Sequence, residues 1–370
     1  MRGVTRYILR HVVAVTIFVT LALASAIWLT QSLRLIDLIV NRGLSLSTFL
    51  YMAFLTLPSF VSGILPIAVF AACIFTYNRL STDSELVVMR SAGLSPMQLA
   101  KPGLLLAGGA VLIGYAMTLY LLPTAQRAFK DLQFTIRHSQ PALFLQEGVF
   151  NTVTDGVTVY VRERSQNGEL HGILVHDGRV ADKPVTMMAE KGTLVQTDLG
   201  PRVVMVNGNR QFMDMDSGKL SLLYFDRYTL DIQPDKEPVG MRWREPGERY
   251  LSELFWPGNM PDDIVNYERL RGEAHERLTS PLLSLAFVCI GLAFLLSGEF
   301  SRRGQTRRIL FATLVMVIVQ ATALTLHNMV GKMSGAVPLM YVNVLLPVAA
   351  GFYVLLSRPQ PRRLLASIRV

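Results

Sequence analysis

The sequence predicts a polytopic α-helical membrane protein with six transmembrane helices, three before and three after an inserted external all-β domain of jelly-roll type. Three observations carry this. First, 51% apolar composition with 17% charged residues is too hydrophobic for an ordinary globular surface. Second, six stretches lack Asp, Glu, Lys and Arg for longer than the roughly 20 residues needed to cross a bilayer. They are Val12–Leu33, Gly43–Asn78, Pro102–Gln126, Leu278–Gly298, Ile309–Gly331 and Met333–Ser357. Third, the long segment between the third and fourth of them changes from helical to period-two patterning. The implied domains are residues 1–126, 127–260 and 261–370.

The first apolar run follows Arg2, Arg6 and Arg10, and Ala24-Ser25-Ala26 resembles a signal-peptidase site. The run continues through Ile27, Trp28 and Leu29 to Leu33, past the end of a signal core, so it reads as a span. The second stretch is 36 residues long and holds Pro58 and Pro66, which predicts a kinked or oblique helix. The third closes at Pro123, and 127–139 extends it.

Basic residues orient the chain. Arg2, Arg6, Arg10, Arg79, Arg90, Lys101, Arg302, Arg303, Arg307, Arg308, Arg358, Arg362, Arg363 and Arg369 fall on one side. The opposite short loops carry only Arg34, Arg42 and Lys332. Both termini and segment 81–101 are therefore expected in the cytoplasm, and 127–277 outside. That outer segment has 19 basic and 23 acidic residues, so the net charge of +9 comes from the membrane part and calls for no nucleic acid. Cys73 and Cys289 lie inside apolar runs and read as buried thiols.

Between the second and third spans lies STDSELVVMRSAGLSPMQLAK, residues 81–101. Thr82 and Glu85 have capping-box spacing, Gly93 is a helix stop, and Ser95-Pro96 starts a second helix. A stub helix over 84–92 results. It suits either docking into a soluble partner or lying as a solvated interfacial turn.

In the outer segment, Val157, Val159 and Val161 alternate with polar residues. Similar short runs predict strands near 148–153, 171–177, 184–189, 192–196, 202–206, 210–215 and 220–232, with turns at Asp155-Gly156, Asp177-Gly178 and Asn207-Gly208. Strands without intervening helices imply a sandwich, jelly roll or barrel, with edges open to strand addition. A linker over 234–261 leads to a charged helix from Pro261, where Glu273 and Arg277 can pair and which runs into the fourth span.

No phosphate-binding loop, H-E-x-x-H zinc motif or G-x-S-x-G elbow occurs. The six histidines are dispersed, and His171 and His176 would face opposite sides of a regular strand. No charged residue sits in the middle of a span, which argues against an ion-coupled transporter. The chain is thus expected to lack catalytic, metal and nucleotide sites of its own. A transport subunit with a separate energy source and a membrane-anchored scaffold recruiting partners through the β domain both fit.

Arg79-Leu80 with SELVVMRSAGLS at 84–95, and His275-Glu276-Arg277-Leu278 with Ser280-Pro281-Leu282, resemble two signatures of the YjgP/YjgQ (LptF/LptG) permease family, as does the order of elements over essentially the full chain. The Leu222–Tyr228 strand and the length look closer to its LptF branch. The resemblance implies a permease subunit of an ABC-type lipopolysaccharide exporter in a Gram-negative inner membrane. Its partners would be a second, LptG-like permease, two copies of a cytoplasmic ATPase carrying ATP and Mg, and a single-span LptC-like periplasmic jelly-roll protein. Segment 81–93 would be the coupling helix, with Ser84, Glu85, Arg90 and Gly93 at the ATPase. Trp28 and Gln31 on the first helix, and Gln320 and Leu324 on the fifth, would flank a lateral gate. Arg34, Arg42 and Lys332 would meet lipid phosphates.

Overall fold

The computed structural model describes residues 2–40, 45–139, 147–154, 156–165, 169–179, 184–197, 200–213, 220–231, 242–297, 302–331 and 334–357. Two compact units result: Met1–Gln31, Leu55–Arg127 and Arg244–Val370 form one, and Ser32–Phe54 with Ala128–Trp243 form the other.

The helical unit is built on residues 2–31 of α1 (Arg2–Val40) with α3 (Leu57–Thr82), α4 (Glu85–Ser91), α5 (Pro96–Ala116), α9 (Tyr267–Thr279), α10 (Leu283–Leu296), α11 (Arg302–Val330) and α12 (Val337–Leu356). A separate α2 (Leu46–Leu55) is divided from α3 at Thr56. The break falls within the second stretch, and Pro58 stands at the start of α3, where its missing N–H costs nothing.

Helix α5 runs through a π turn (Met117–Leu121) into α6 (Leu122–Ser139). Pro123 does not close the helix. The wider turn just before it eases the clash a proline ring makes with the carbonyl one turn back.

Helix α10 is the axis of the bundle. All its residues except Leu285 and Phe294 are buried, and it packs against α3, α5, α11 and α12. Lipid is as apolar as leucine, so close backbone approach holds such helices together rather than water exclusion. Gly351 on α12 shows this, since a Cβ there would lie 2.7 Å from Cys289 Cβ and 3.0 Å from the Cys289 backbone.

The expected fourth span, 278–298, is not one continuous helix. Helices α9 and α10 bend by 44° across Ser280–Leu282, so among the described residues five helices are long and apolar enough to cross a membrane, or six with this broken pair counted as one. After the short α7 (Leu251–Phe255), the charged helix from Pro261 is also broken, into α8 (Pro261–Val265) and α9.

The second unit contains one antiparallel sheet of β1 (Phe150–Thr154), β2 (Val157–Arg164), β3 (Leu170–Asp177), β4 (Val185–Thr197), β5 (Gly200–Met213) and β6 (Leu220–Asp231), each beside its sequence neighbour. The inserted all-β domain is present, with meander order. The eight short strands expected become six, because 184–196 and 202–215 each form one long strand. Asn207-Gly208 is not a turn: Asn207 lies within β5 at φ 53°.

The misreading has a physical origin. In β3 and β4 the in–out alternation breaks at two successive unburied residues, His171-Gly172 and Glu190-Lys191, and in β2, β5 and β6 the described buried residues all lie on one side of Arg162-Glu163, Val206-Asn207 and Asp226-Arg227. These pairs are in register, with Glu163 opposite His171, His171 opposite Lys191, Lys191 opposite Val206, and Val206 opposite Arg227. A crease therefore crosses the sheet, with left-handed residues Gly172 (φ 63°) and Asn207 on it. Val159, Val161, Val175 and Met187 on one side share a single core with Leu170, Val203, Met205 and Leu230 on the other.

Candidate functional site

Segment 81–101 folds as the stub expected of it, with a different start. Helix α3 continues through Thr82, whose Oγ1 donates to Asn78 O at 3.0 Å. Thr82 is thus helical and makes no capping box with Glu85. The reversal occurs at Ser84, left-handed at φ 61° with no side-chain cap. The stub helix α4 spans Glu85–Ser91, short of the expected 84–92 at both ends. Its end is as expected: Gly93 takes φ 90°, and Leu94 N donates to Met89 O at 3.2 Å, the closing bond of a Schellman motif. Ser95 then caps α5, accepting from Gln98 N at 3.2 Å while Gln98 Oε1 accepts from Ser95 N at 2.9 Å.

One face of α4 seats Leu86 and Met89 in the bundle core. Arg90 Nη2 donates to Leu296 O at 2.6 Å, covering a carbonyl that the end of α10 leaves open. Burial, with Arg308 nearby, lowers the Arg90 pKa. Arg90 thus braces the stub from within. The other face presents Val87, Val88 and Ser91 outward, Val88 being 65% exposed. Glu85 is half-buried beside it and accepts from Tyr7 Oη on α1 at 3.3 Å.

A second cluster surrounds the α9–α10 bend. Pro281 packs on Gly114 of α5, and Tyr115 Oη donates to Leu278 O at 2.8 Å. Arg277, 2% exposed, donates to Glu273 at 3.0 Å, to Arg249 O at 2.6 Å, and to Pro246 O and Gly247 O at 3.0 Å each. It staples the 244–256 segment onto α9. Arg249 pairs with buried Asp263, and Arg127 reaches Glu253 and Glu248 O while stacking on Tyr250 at 4.1 Å. The Glu273–Arg277 spacing was legible; the buried carbonyls it serves come from distant chain.

Beside the bend lies a cavity of about 140 Å³. Gln320 and Leu324, the two expected gate residues on α11, line it with Ser62, Glu276, Ser280 and Asn343. The other two, Trp28 and Gln31, sit half-buried on α1 and are not among its lining. Arg34 falls within α1, but its side chain, like Arg42 and Lys332, lies outside the described residues.

A bundle of apolar helices, an inserted sheet and a stub exposed between two spans define the class of a multi-pass membrane protein. Residues 6–357 match the family described as lipopolysaccharide export system permease LptF/LptG, and the chain belongs to it. It is 28% identical over 358 residues to the uncharacterized protein RP871 of Rickettsia prowazekii (strain Madrid E), covering 95% of this chain and 98% of that one. It is 22% identical over 211 residues to lipopolysaccharide export system permease protein LptF of Escherichia coli K12 and to that of Shigella flexneri, 56% of this chain and 58% of each relative.

Proposed function

We propose that this chain is one permease subunit, of the LptF kind, in an ATP-driven exporter that extracts lipopolysaccharide from the inner membrane and passes it to a periplasmic jelly-roll bridge. The observation that carries this reading is the stub α4: its inner face is anchored by Leu86 and Arg90, and its outer face offers Val87 and Val88 beside Glu85. No nucleotide-binding loop exists in the sequence, so hydrolysis belongs to a partner. The stub would dock into each cycle's energy source, a cytoplasmic ATPase present in two copies with ATP and Mg, while Ser84 and Gly93 set its angle.

A second, LptG-like permease would complete the complex by facing α1, whose outer side exposes Ile17, Phe18, Leu21 and Leu29. Trp28, Gln31, Gln320 and Leu324 would then flank the lipid entrance, and Arg34, Arg42 and Lys332 would pair with lipid phosphates. The basic-residue count supports cytoplasmic termini and a periplasmic sheet, with an LptC-like jelly roll as the sheet's neighbour.

The test is affinity purification of wild type, Glu85→Ala and Val88→Glu, with identification of partners and ATP hydrolysis measured with and without lipopolysaccharide. Co-purification of an ATPase and a second permease, lost or uncoupled in the variants, is the expected result. Isolation with external β proteins alone would replace this reading with the scaffold.

A further inference from the structure

We propose that Glu273, Glu276 and His327 form a divalent transition-metal site of the zinc class in the wall of the bundle, a site that no sequence motif announces. Glu273 and Glu276 stand three apart on α9 and so share a face, and His327 projects from α11 against them. One carboxylate oxygen from each glutamate and a ring nitrogen of the histidine lie within 4.8 Å of one another. His327 Nδ1 is 2.5 Å from Glu276 Oε2.

The donor set is that of a three-ligand site. One imidazole and two carboxylates suit zinc, whose bonds of about 2.0–2.2 Å leave a fourth position for water. Tetrahedral coordination needs ligand atoms roughly 3.5 Å apart, so the imidazole and Glu276 part slightly while Glu273 closes in. Glu276 also lines the 140 Å³ cavity, with Ser280, Gln320 and Asn343.

Orientation is built in as well. Arg277 Nε holds Glu273 Oε1 at 3.0 Å, leaving Oε2 for a metal. Such partners behind the ligands fix their direction and commonly change affinity by about 10- to 100-fold. Two glutamates against Arg277 leave one negative charge for the cation to offset. The bound ion would tie α9 to α11 next to the α9–α10 bend.

The experiment uses full-length protein carrying a non-histidine affinity tag, purified in detergent and stripped with EDTA. Zinc is titrated, and bound metal is counted by elemental analysis after gel filtration. About one zinc per chain is expected, with at least a tenfold loss of affinity in both His327→Gln and Glu273→Gln. Gln at 273 still accepts from Arg277, so this second variant keeps the fold if the first does not. A rise in unfolding temperature with zinc should appear in wild type and vanish in both. No uptake by wild type, or equal uptake by both variants, would overturn the site.

Discussion

Tyr7 Oη donates to Glu85 Oε1 at 3.3 Å, so the first long helix and the stub between the second and third spans touch through one hydrogen bond. Ile8, next to Tyr7, and Val12, one turn further on, are buried in the same core as Leu86. If the stub docks an ATPase through Glu85, Tyr7 is displaced as the partner arrives. Tyr7→Phe should leave complex assembly intact and lower the lipid transported per ATP hydrolysed, whereas Glu85→Ala should also weaken assembly. Measuring both ratios in reconstituted vesicles checks this, and unchanged coupling in Tyr7→Phe would remove the hydroxyl from the mechanism.

Arg277 satisfies three backbone carbonyls and Glu273 from a fully enclosed position. Arg277→Met should cost about 3–5 kcal/mol, because partners stay buried without a donor. Lys reaches only some of these acceptors and should rescue poorly. Thermal unfolding in detergent, with limited proteolysis of the 242–260 segment, reports the result; wild-type protection in Arg277→Met would refute the staple.

Gly351 meets Cys289 too closely for any side chain. Gly351→Ala should push α12 away from α10 at a cost of about 1–3 kcal/mol. Cys289→Ala alone keeps the Cβ and should not relieve it. The unfolding temperatures of the single and double variants decide the matter.

Asp177 gives an acid limb to the sheet. Arg179 bonds its carboxylate at 2.6 Å and 2.9 Å, and this hydrogen bonding, outweighing burial, holds the carboxyl below its usual 3.8. A depressed folded-state value means the contribution is complete above about pH 4 and disappears as pH falls through the folded-state value. Asp177→Asn should therefore lower stability at neutral pH and flatten its decline in acid. Unfolding followed between pH 7 and about pH 2 tests this; parallel curves for both proteins would contradict it.

How far the sequence reached differs between the units. Apolar runs located the spans, because a bilayer demands long uncharged stretches and little else supplies them, but α1 and α11 run on into charged residues and the fourth stretch is broken. Period-two runs located the strands but split β4 and β5. A crease interrupts alternation as a turn does, and only register across five strands distinguishes them. The stub's stop at Gly93 was legible since positive φ favours glycine. The left-handed reversal at Ser84 in place of a cap at Thr82 was not, because whether Thr82 caps or continues a helix depends on how far α3 is held by packing.

The sequence by itself determined that this chain carries several stretches apolar and long enough to cross a membrane, an inserted β domain, no G-x-x-x-x-G-K-(S/T) motif and a stub helix. Each follows from local composition, spacing or a motif. Tertiary structure alone decided that α10 is the buried axis, that Arg277 and Arg90 spend their charges on backbone carbonyls, and that Glu273, Glu276 and His327 converge. Those relationships join residues far apart in the chain, and a side chain's partner across a bundle is set by how helices bend and pack rather than by its neighbours in sequence.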